Sequence, residues 1–391
     1  MSRAHIAEFV KTRLCGIRVL ESLADATAAA LPVIGTHNGS FHCDEVLSCG
    51  MLRCTTQFST ASIVRTRDAR IVDGCNIVVD VGGVYDAEAL RLDHHQPSFQ
   101  DTMTTQKATY KTRLSSAGLV YKHFGREIIQ GYVEAALTSP YRPELLRMGD
   151  WDSSRKKLTE RELETVFDAV YRNFVEHIDG IDNGVNAYGP STEALRGMDA
   201  DPSLLCVRNY AVTTTLSDRI GAIMPWWNEE GNGDLGSETA AFLKAVDVAL
   251  LEFIAVVHYY VFAWLPARVL VEDAFLSSDT VHPSGRIVAL RERFCPWKDH
   301  LLEMEAAHNK KGHVLYVLFA DKSGWRVQAV PKDTSSFDSR KPLPWRGLRD
   351  AELSEASGID GCVFVHASGF IGGNRTYEGA LQMAVKALSA V

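Results

Sequence analysis

The sequence predicts an α/β protein of two domains, the larger N-terminal one built on a mostly parallel sheet that carries a divalent-metal site. Three observations lead there. A length of 391 residues exceeds the size at which one core normally keeps growing. Short apolar runs at 31–37 and 77–83 end in glycine and a potential ligand, and each is followed by a helical or turn segment, as in parallel βα units. Finally, His37, His42 and Asp44 are followed along the chain by an isolated Asp80 and by Asp93-His94-His95. Histidines and carboxylates grouped in this way are the ligands of a metal centre.

The first twenty residues carry Arg3, Lys11, Arg13 and Arg18 against Glu8 alone, with Ile6, Phe9, Val10, Leu14 and Ile17 at helical spacing. Residues 1–30 therefore read as an extension, either a mitochondrial presequence or a surface helix capping the domain. The metal-binding domain is expected over 31–230. After its first ligand group, Val46, Leu47, Gly50 and Met51 form a helical stripe, placing Asp44 near a helix N-terminus that favours its ionised form. Ser115 and Ser116 precede another apolar helix, where they either donate to a phosphate or simply cap. Residues 138–158, rich in Pro, Arg and Ser, read as a surface loop. Thr159 to Glu162 is a capping-box signature, and Leu163, Val166, Phe167, Val170 and Phe174 carry a helix towards Asp179 and Asp182.

Glycines and acids with nothing to bury make 228–238 the best linker, leaving 240–391 for a smaller α/β C-terminal domain. The apolar run 246–265 contains Asp247, Glu252 and His258, so it reads as a buried core helix rather than a membrane span. Two strand-like runs, 314–320 and 325–330, are joined by the turn Asp321-Lys-Ser-Gly324. Near the C-terminus His366, Gly372, Gly373 and Arg375 precede a helix starting at Tyr377; glycines let N–H groups approach an anion and arginine adds bidentate phosphate recognition.

The net charge, 41 basic minus 49 acidic residues or −8, argues against a basic coat protein but leaves room for a nuclease with a local groove. Eight cysteines without a C-x-x-C pair indicate neither a zinc knuckle nor a disulfide framework. Trp226, Trp227, Trp297, Trp325 and Trp345 are candidates for base stacking, and Arg340, Lys341 and Arg346 for contacts to nucleic acid.

Two ions about 3.5 to 4 Å apart can activate water and stabilise both oxygens of a phosphoryl transfer, which requires several carboxylates, one bridging, completed by imidazoles. Four segments supply such a set: His37, His42 and Asp44; Asp80; Asp93, His94 and His95; Asp179 and Asp182. A mixed His/Asp set without thiolate favours Mn or Mg.

His37-Asn-Gly-Ser-Phe-His-Cys-Asp44, Val79-Asp-Val-Gly-Gly83, Asp93-His-His95, Leu114-Ser-Ser-Ala-Gly-Leu119, Ile178-Asp-Gly-Ile-Asp-Asn-Gly184 and Phe364-Val-His-Ala-Ser-Gly-Phe-Ile-Gly-Gly373 together resemble the Myg1 family of the DHH phosphoesterase superfamily. The resemblance implies a two-domain DHH phosphoesterase-like fold with a C-terminal substrate-binding domain. It further implies a Mn- or Mg-dependent 3′ to 5′ exoribonuclease of mitochondrion and nucleus. Carried over by motif, His37, His42, Asp44, Asp80, His94 and Asp182 are metal ligands, with Asp179 the rival of Asp182. Asp80 is the bridging carboxylate, and Asp80, Asp93 and His95 are catalytic, His95 facing the phosphate. Ser115, Ser116, His366, Gly372, Gly373 and Arg375 are expected to bind substrate. His42 stands where many superfamily members have Asp, and the lost charge favours Mn over Mg. The expected function is a two-metal phosphodiesterase acting from the 3′ end of single-stranded RNA. Its alternatives are hydrolysis of a small substrate (short oligonucleotide, cyclic dinucleotide or pyrophosphate) and a metal-stabilised binding protein without activity.

Overall fold

The apolar β-branched runs form the centre of a six-stranded sheet in the computed structural model, which describes residues 2–20, 31–186, 212–230, 233–334 and 338–390. Its strands are β1 (Val19–Leu20), β2 (Val33–Thr36), β3 (Ser62–Arg65), β4 (Ile77–Val79), β5 (Tyr85–Asp86) and β6 (Arg91–Leu92), in the order β1-β3-β2-β4-β6-β5. Every pairing is parallel except β5 with β6. Because β2 and β4 are buried along their whole length, they need no polar alternation and read as continuous apolar runs. Parallel strands also end on one edge. The exits of β3, β2, β4 and β6 therefore place Arg67, His37, Asp80 and Asp93 near one another along that edge.

The chain divides into two compact units, Met1–Val261 and Phe262–Val391. The linker at 228–238, of which residues 231 and 232 lie outside the described residues, predicts an earlier division. The Leu235–Tyr259 helix belongs instead to the first unit because it buries Phe242, Val246, Ala249, Leu250, Phe253, Ile254 and Val257 there. Its partner is the wholly buried Cys43–Leu52 helix. Gly50 permits their close approach, since a Cβ at that position would lie 3.2 Å from Leu250 Cβ. No helix among the described residues is long and apolar enough to cross a membrane.

The Ser2–Leu14 helix also packs within the first unit. It buries Ile6, Phe9 and Val10, and Phe9 meets Tyr132 edge-on at 4.9 Å. Arg53, only 2% exposed, donates to the carbonyls of Arg13 and Cys15 and so fastens the end of that helix. Residues 138–158 are not loop throughout. They contain the Arg142–Met148 helix, which proline in its first turn and buried Leu145 stabilise.

β7 (Thr102–Thr104) and β8 (Thr109–Arg113) form an antiparallel pair. In the second unit β9 (Ile287–Leu290), β10 (Tyr316–Asp321), β11 (Gly324–Ala329), β12 (Cys362–Val365) and β13 (Ile371–Asn374) are ordered β12-β13-β11-β10-β9. The expected hairpin is β10 and β11, in register from Tyr316↔Ala329 to Asp321↔Gly324. One face of this sheet packs Leu318 and Val327 against Met383 and Ala384; the other packs Val317 and Phe319 against Phe275 and Leu301.

Two sequence candidates for nucleic-acid contact are committed to this fold. Arg340 makes a two-pronged ion pair with the fully buried Glu305 and also donates to Val314 O, while Lys341 donates to Leu388 O. Trp297 is core; Trp325 and Trp345 are half-buried, whereas Trp226 and Trp227 are exposed.

Candidate metal centre

His37 leaves the end of β2 with Nδ1 3.1 Å from the Asn38 carbonyl. A carbonyl only accepts, so Nδ1 carries the proton and Nε2 is turned to Glu45 Oε1 at 3.1 Å and Asp80 Oδ2 at 3.3 Å. His42 opens the Cys43–Leu52 helix, and its N–H donates to both oxygens of Glu45, at 2.9 and 3.0 Å. Asp44, in the first turn, accepts from the N–H groups of Ser116 (3.1 Å) and Ala117 (2.6 Å). It thus lies against two helix N-termini, whose partial positive charge opposes the cost of burying it without overcoming that cost. Asp80 adopts a left-handed φ of 57°, a backbone cost characteristic of functional positions. Its Oδ1 is 3.5 Å from both His94 Nε2 and His95 Nδ1. His94 Nε2 is also 3.1 Å from Asp182 Oδ2 and 3.9 Å from Asp44 Oδ2.

Three overlapping groups result, each with its ligand atoms within 4.8 Å: His37, His42, Glu45 and Asp80; Asp80, Asp93, His94 and His95; Asp44, His94 and Asp182. Asp80 and His94 each belong to two of them. Without a cation the acids hold protons on the imidazoles. Burial would lower His37, but hydrogen bonds to Asp80 and Glu45 override it and raise the imidazole to about 10. Burial opposes protonation of His94 as well, and Asp182 and Asp80 beside it raise it to about 10. Asp80, despite burial, is held at about 2 by His37 and His94, whereas Asp44 is pushed well up by burial and by Asp182 and Asp80. Asp80 Oδ1 and His94 Nε2 are buried without a well-aligned hydrogen bond. An excess of buried carboxylate, unsatisfied ligand atoms and neutralisable imidazoles fit a divalent cation.

Around this cluster lies a cavity of about 380 Å³, also lined by Phe41, Cys43, Arg67, Ile178, Ile181 and Ser217. Burial and Asp44 push the Cys43 thiol up to about 12, so it is no nucleophile. Asp93 accepts from Gly83 N at 2.6 Å and from His95 Nδ1 at 2.7 Å, which orients the exposed His95 ring.

The structure therefore brings His37, His42, Asp44, Asp80, Asp93, His94, His95 and Asp182 together. Asp179 lies outside these groups; its buried carboxylate accepts from Ser115 N, Ser115 Oγ and the Tyr171 hydroxyl. Burial raises it to about 7 against those hydrogen bonds. Ser115 is engaged there and as an N-cap, and Ser116 is equally buried, so neither hydroxyl is open to solvent as expected of a phosphate donor. In the second unit His366 and Arg375 are exposed at opposite ends of β13, not in one turn. Gly372 and Gly373 lie buried in that strand; a Cβ on Gly373 would sit 2.6 Å from an Arg326 nitrogen.

Sequence reasoning missed Glu45 and Arg67. Glu45 carries a readable signal, three residues after His42 at a helix start, but histidine is an unusual cap. Arg67 follows β3 by two residues and donates to Asn38; nothing in its neighbours marks it before the strand order is known.

Comparison with known proteins agrees with the motif pattern. A family model described as "Uncharacterised protein family (UPF0160)", the MYG1 exonuclease model, matches residues 33–388. The proteins named MYG1 exonuclease in Mus musculus and Homo sapiens are each 44% identical to this chain over 360 residues, covering 91% of it and 84% and 85% of themselves. A MYG1 protein of Schizosaccharomyces pombe is 42% identical over 91% of this chain and 97% of its own length. Among solved structures, exonuclease RecJ bound to manganese aligns over 95% of this chain and 96% of its own, at 13% identity and a TM-score of 0.22, a likeness too slight to carry a conclusion. The matched span and the identities show that the chain belongs to the Myg1 family.

Proposed function

We propose that this protein is a metal-dependent phosphodiesterase that removes nucleotides from the 3′ end of single-stranded RNA, with Mn favoured over Mg and two ions in the site. The observation that carries the reading is the set of three ligand groups sharing Asp80 and His94 at one sheet edge. The relatives named exonucleases support it. His37, His42, Glu45 and Asp80 would hold one ion, and Asp80, Asp44, His94 and Asp182 the other. A bound divalent ion supplies an activated water and charge stabilisation at the phosphate.

The chain's own residues do the rest. With Nδ1 engaged by Asp93, His95 presents Nε2 to the cavity, where it can steady a phosphate oxygen or protonate the departing ribose oxygen. Arg67 offers its guanidinium to the same phosphate from the neighbouring strand exit. Phe41, Ile178 and Ile181 give the cavity an apolar wall for a base. About 380 Å³ is room enough for a terminal nucleotide. Residues of the second unit, Arg375 among them, are assigned to holding the strand.

The test is product analysis of 5′-labelled RNA and its DNA counterpart with Mn or Mg, using Asp80→Asn as control. A ladder shortening from the 3′ end and lost in the variant is expected. Intact polymer with hydrolysis of dinucleotides would overturn the polymer reading, and turnover by the variant would overturn the site.

A further inference from the structure

Asp179 is fully buried and stands outside the ligand groups, yet it touches the supports of two ligands, Asp44 and Asp182. Its Oδ1 accepts from Ser115 N (2.9 Å) and Ser115 Oγ (2.8 Å), and its Oδ2 accepts from the Tyr171 hydroxyl (2.9 Å). Ser115 is the N-cap of the Ser116–Thr138 helix. The next two N–H groups of that helix, those of Ser116 and Ala117, hold Asp44. Asp182 lies in the same Glu176–Asp182 helix as Asp179, three residues and so about one turn later. The link is tightly packed, since a Cβ on Gly118 would overlap the Asp179 carboxylate. Tyr171 begins the π turn Tyr171–Val175, a widened turn of the kind found at functional sites, which sets where its hydroxyl meets Asp179.

We propose that Asp179 is a positioning residue that fixes Asp44 and Asp182 in one metal-binding arrangement, by tying the capped helix that holds Asp44 to the helical turn that carries Asp182. The inference rests on the metal reading above. It assigns Asp179 no contact with metal or substrate. Asn183 strengthens the tie: its Nδ2 donates to Asp179 O and Arg113 O, and its Oδ1 accepts from Arg113 Nε at 2.7 Å. Ligand supports of this kind govern affinity because they hold the coordinating atoms where the ion needs them.

A matched control exists in the same region. Asp168 is also buried, accepting from Thr105 Oγ1 (2.5 Å) and the Tyr110 hydroxyl (2.9 Å), but among the described residues no hydrogen bond joins it to a member of the ligand groups. The experiment measures Mn²⁺ binding to the full chain by paramagnetic resonance of the free ion, with thermal unfolding in chelator recorded beside it. Asp179→Ala is expected to weaken Mn²⁺ binding by about tenfold or more. Asp179→Asn keeps an acceptor for Ser115 and is expected to restore most of that loss. Asp168→Ala is expected to lower stability without changing the affinity. Equal affinity in Asp179→Ala and wild type, or equal weakening by Asp168→Ala, overturns the proposal. If Asp179→Ala does not fold, Tyr171→Phe decides: weakened binding is expected, and unchanged binding overturns it. Failure of the wild type to bind Mn²⁺ would remove the metal reading itself, whereas normal wild-type binding beside an unaffected Asp179→Ala removes only the positioning role.

Discussion

Raising pH should tighten metal binding while destabilising the metal-free protein. His37 and His94 both stand at about 10 in the folded chain, against 6.5 for free imidazole. At neutral pH each therefore carries a proton that it must lose to become a ligand. Each released proton makes the binding constant grow about tenfold per pH unit, so loading both imidazoles gives a slope of up to about a hundredfold per pH unit between about pH 7 and pH 9. The stability effect has the opposite sign. Because the folded values lie above the unfolded one, the folded metal-free chain holds extra protons between 6.5 and about 10. That stabilisation is complete below 6.5 and is lost as pH rises through about 10. For one imidazole the rise from 6.5 to about 10 corresponds to at most about 5 kcal/mol, and since both use Asp80 the two do not add. Calorimetry of Mn²⁺ binding in buffers of different ionisation enthalpy counts the protons, and urea unfolding in chelator reads the stability. Binding with no buffer dependence and no pH slope would refute the proposed histidine ligands.

Four substitutions test other parts of the account. Asp80→Asn should abolish hydrolysis with little change in the circular dichroism spectrum, because the side chain lies beyond β4 rather than in the core; wild-type turnover would contradict its assignment. Arg340→Ala strands the fully buried Glu305 and should cost about 3 to 5 kcal/mol in urea unfolding, so a near-neutral result would mean the pair matters little. Gly50→Ala places a Cβ 3.2 Å from Leu250 and should cost about 1 to 3 kcal/mol by overpacking, measured the same way. Arg375→Ala should raise KM more than it lowers kcat if the exposed guanidinium holds substrate in ground and transition states alike; an unchanged KM would oppose that role.

What the sequence revealed of this molecule follows from which signals are local. Strands β2 and β4 were legible because burial on both faces leaves continuous Val/Ile runs, and the ligands just beyond them stand out as polar residues after apolar ones. The capping box at Thr159 and the β10–β11 turn are equally local. Strand order is not, so Arg67 could not be joined to His37 before β3 was known to lie beside β2. Nor does spacing alone choose between Asp179 and Asp182, because acids three residues apart on a helix point in similar directions. Hydroxyl and N–H donors of Ser115, 64 residues away, together with the Tyr171 hydroxyl, fix one of them behind the site. The compact units divide after Val261 rather than in 228–238 for a related reason. Glycine and acid mark a flexible stretch, but the apolar face of the next helix decides which core that helix joins.

The ligands divide by what holds them, and that division has a mechanical consequence. His37, Asp80, Asp93 and His94 follow the ends of strands whose hydrogen bonds run through a buried sheet, so their spacing is set by strand separation. Asp44, Glu45 and Asp182 sit on helix ends, whose positions depend on packing and on a few polar ties. Asp80 and His94 connect the two sets, as each belongs to more than one group. Metal-free, four buried or half-buried carboxylates (Asp44, Glu45, Asp80 and Asp182) face one another with only imidazole protons between them. Repulsion among them is relieved most easily where the backbone yields most, at the helix ends rather than at the sheet. Metal removal should thus loosen amide protection around 43–46 and 179–184 before it touches β2 or β4, which hydrogen exchange with and without chelator would show; uniform loosening of both sets would mean that the sheet offers its ligands no greater rigidity than the helices do.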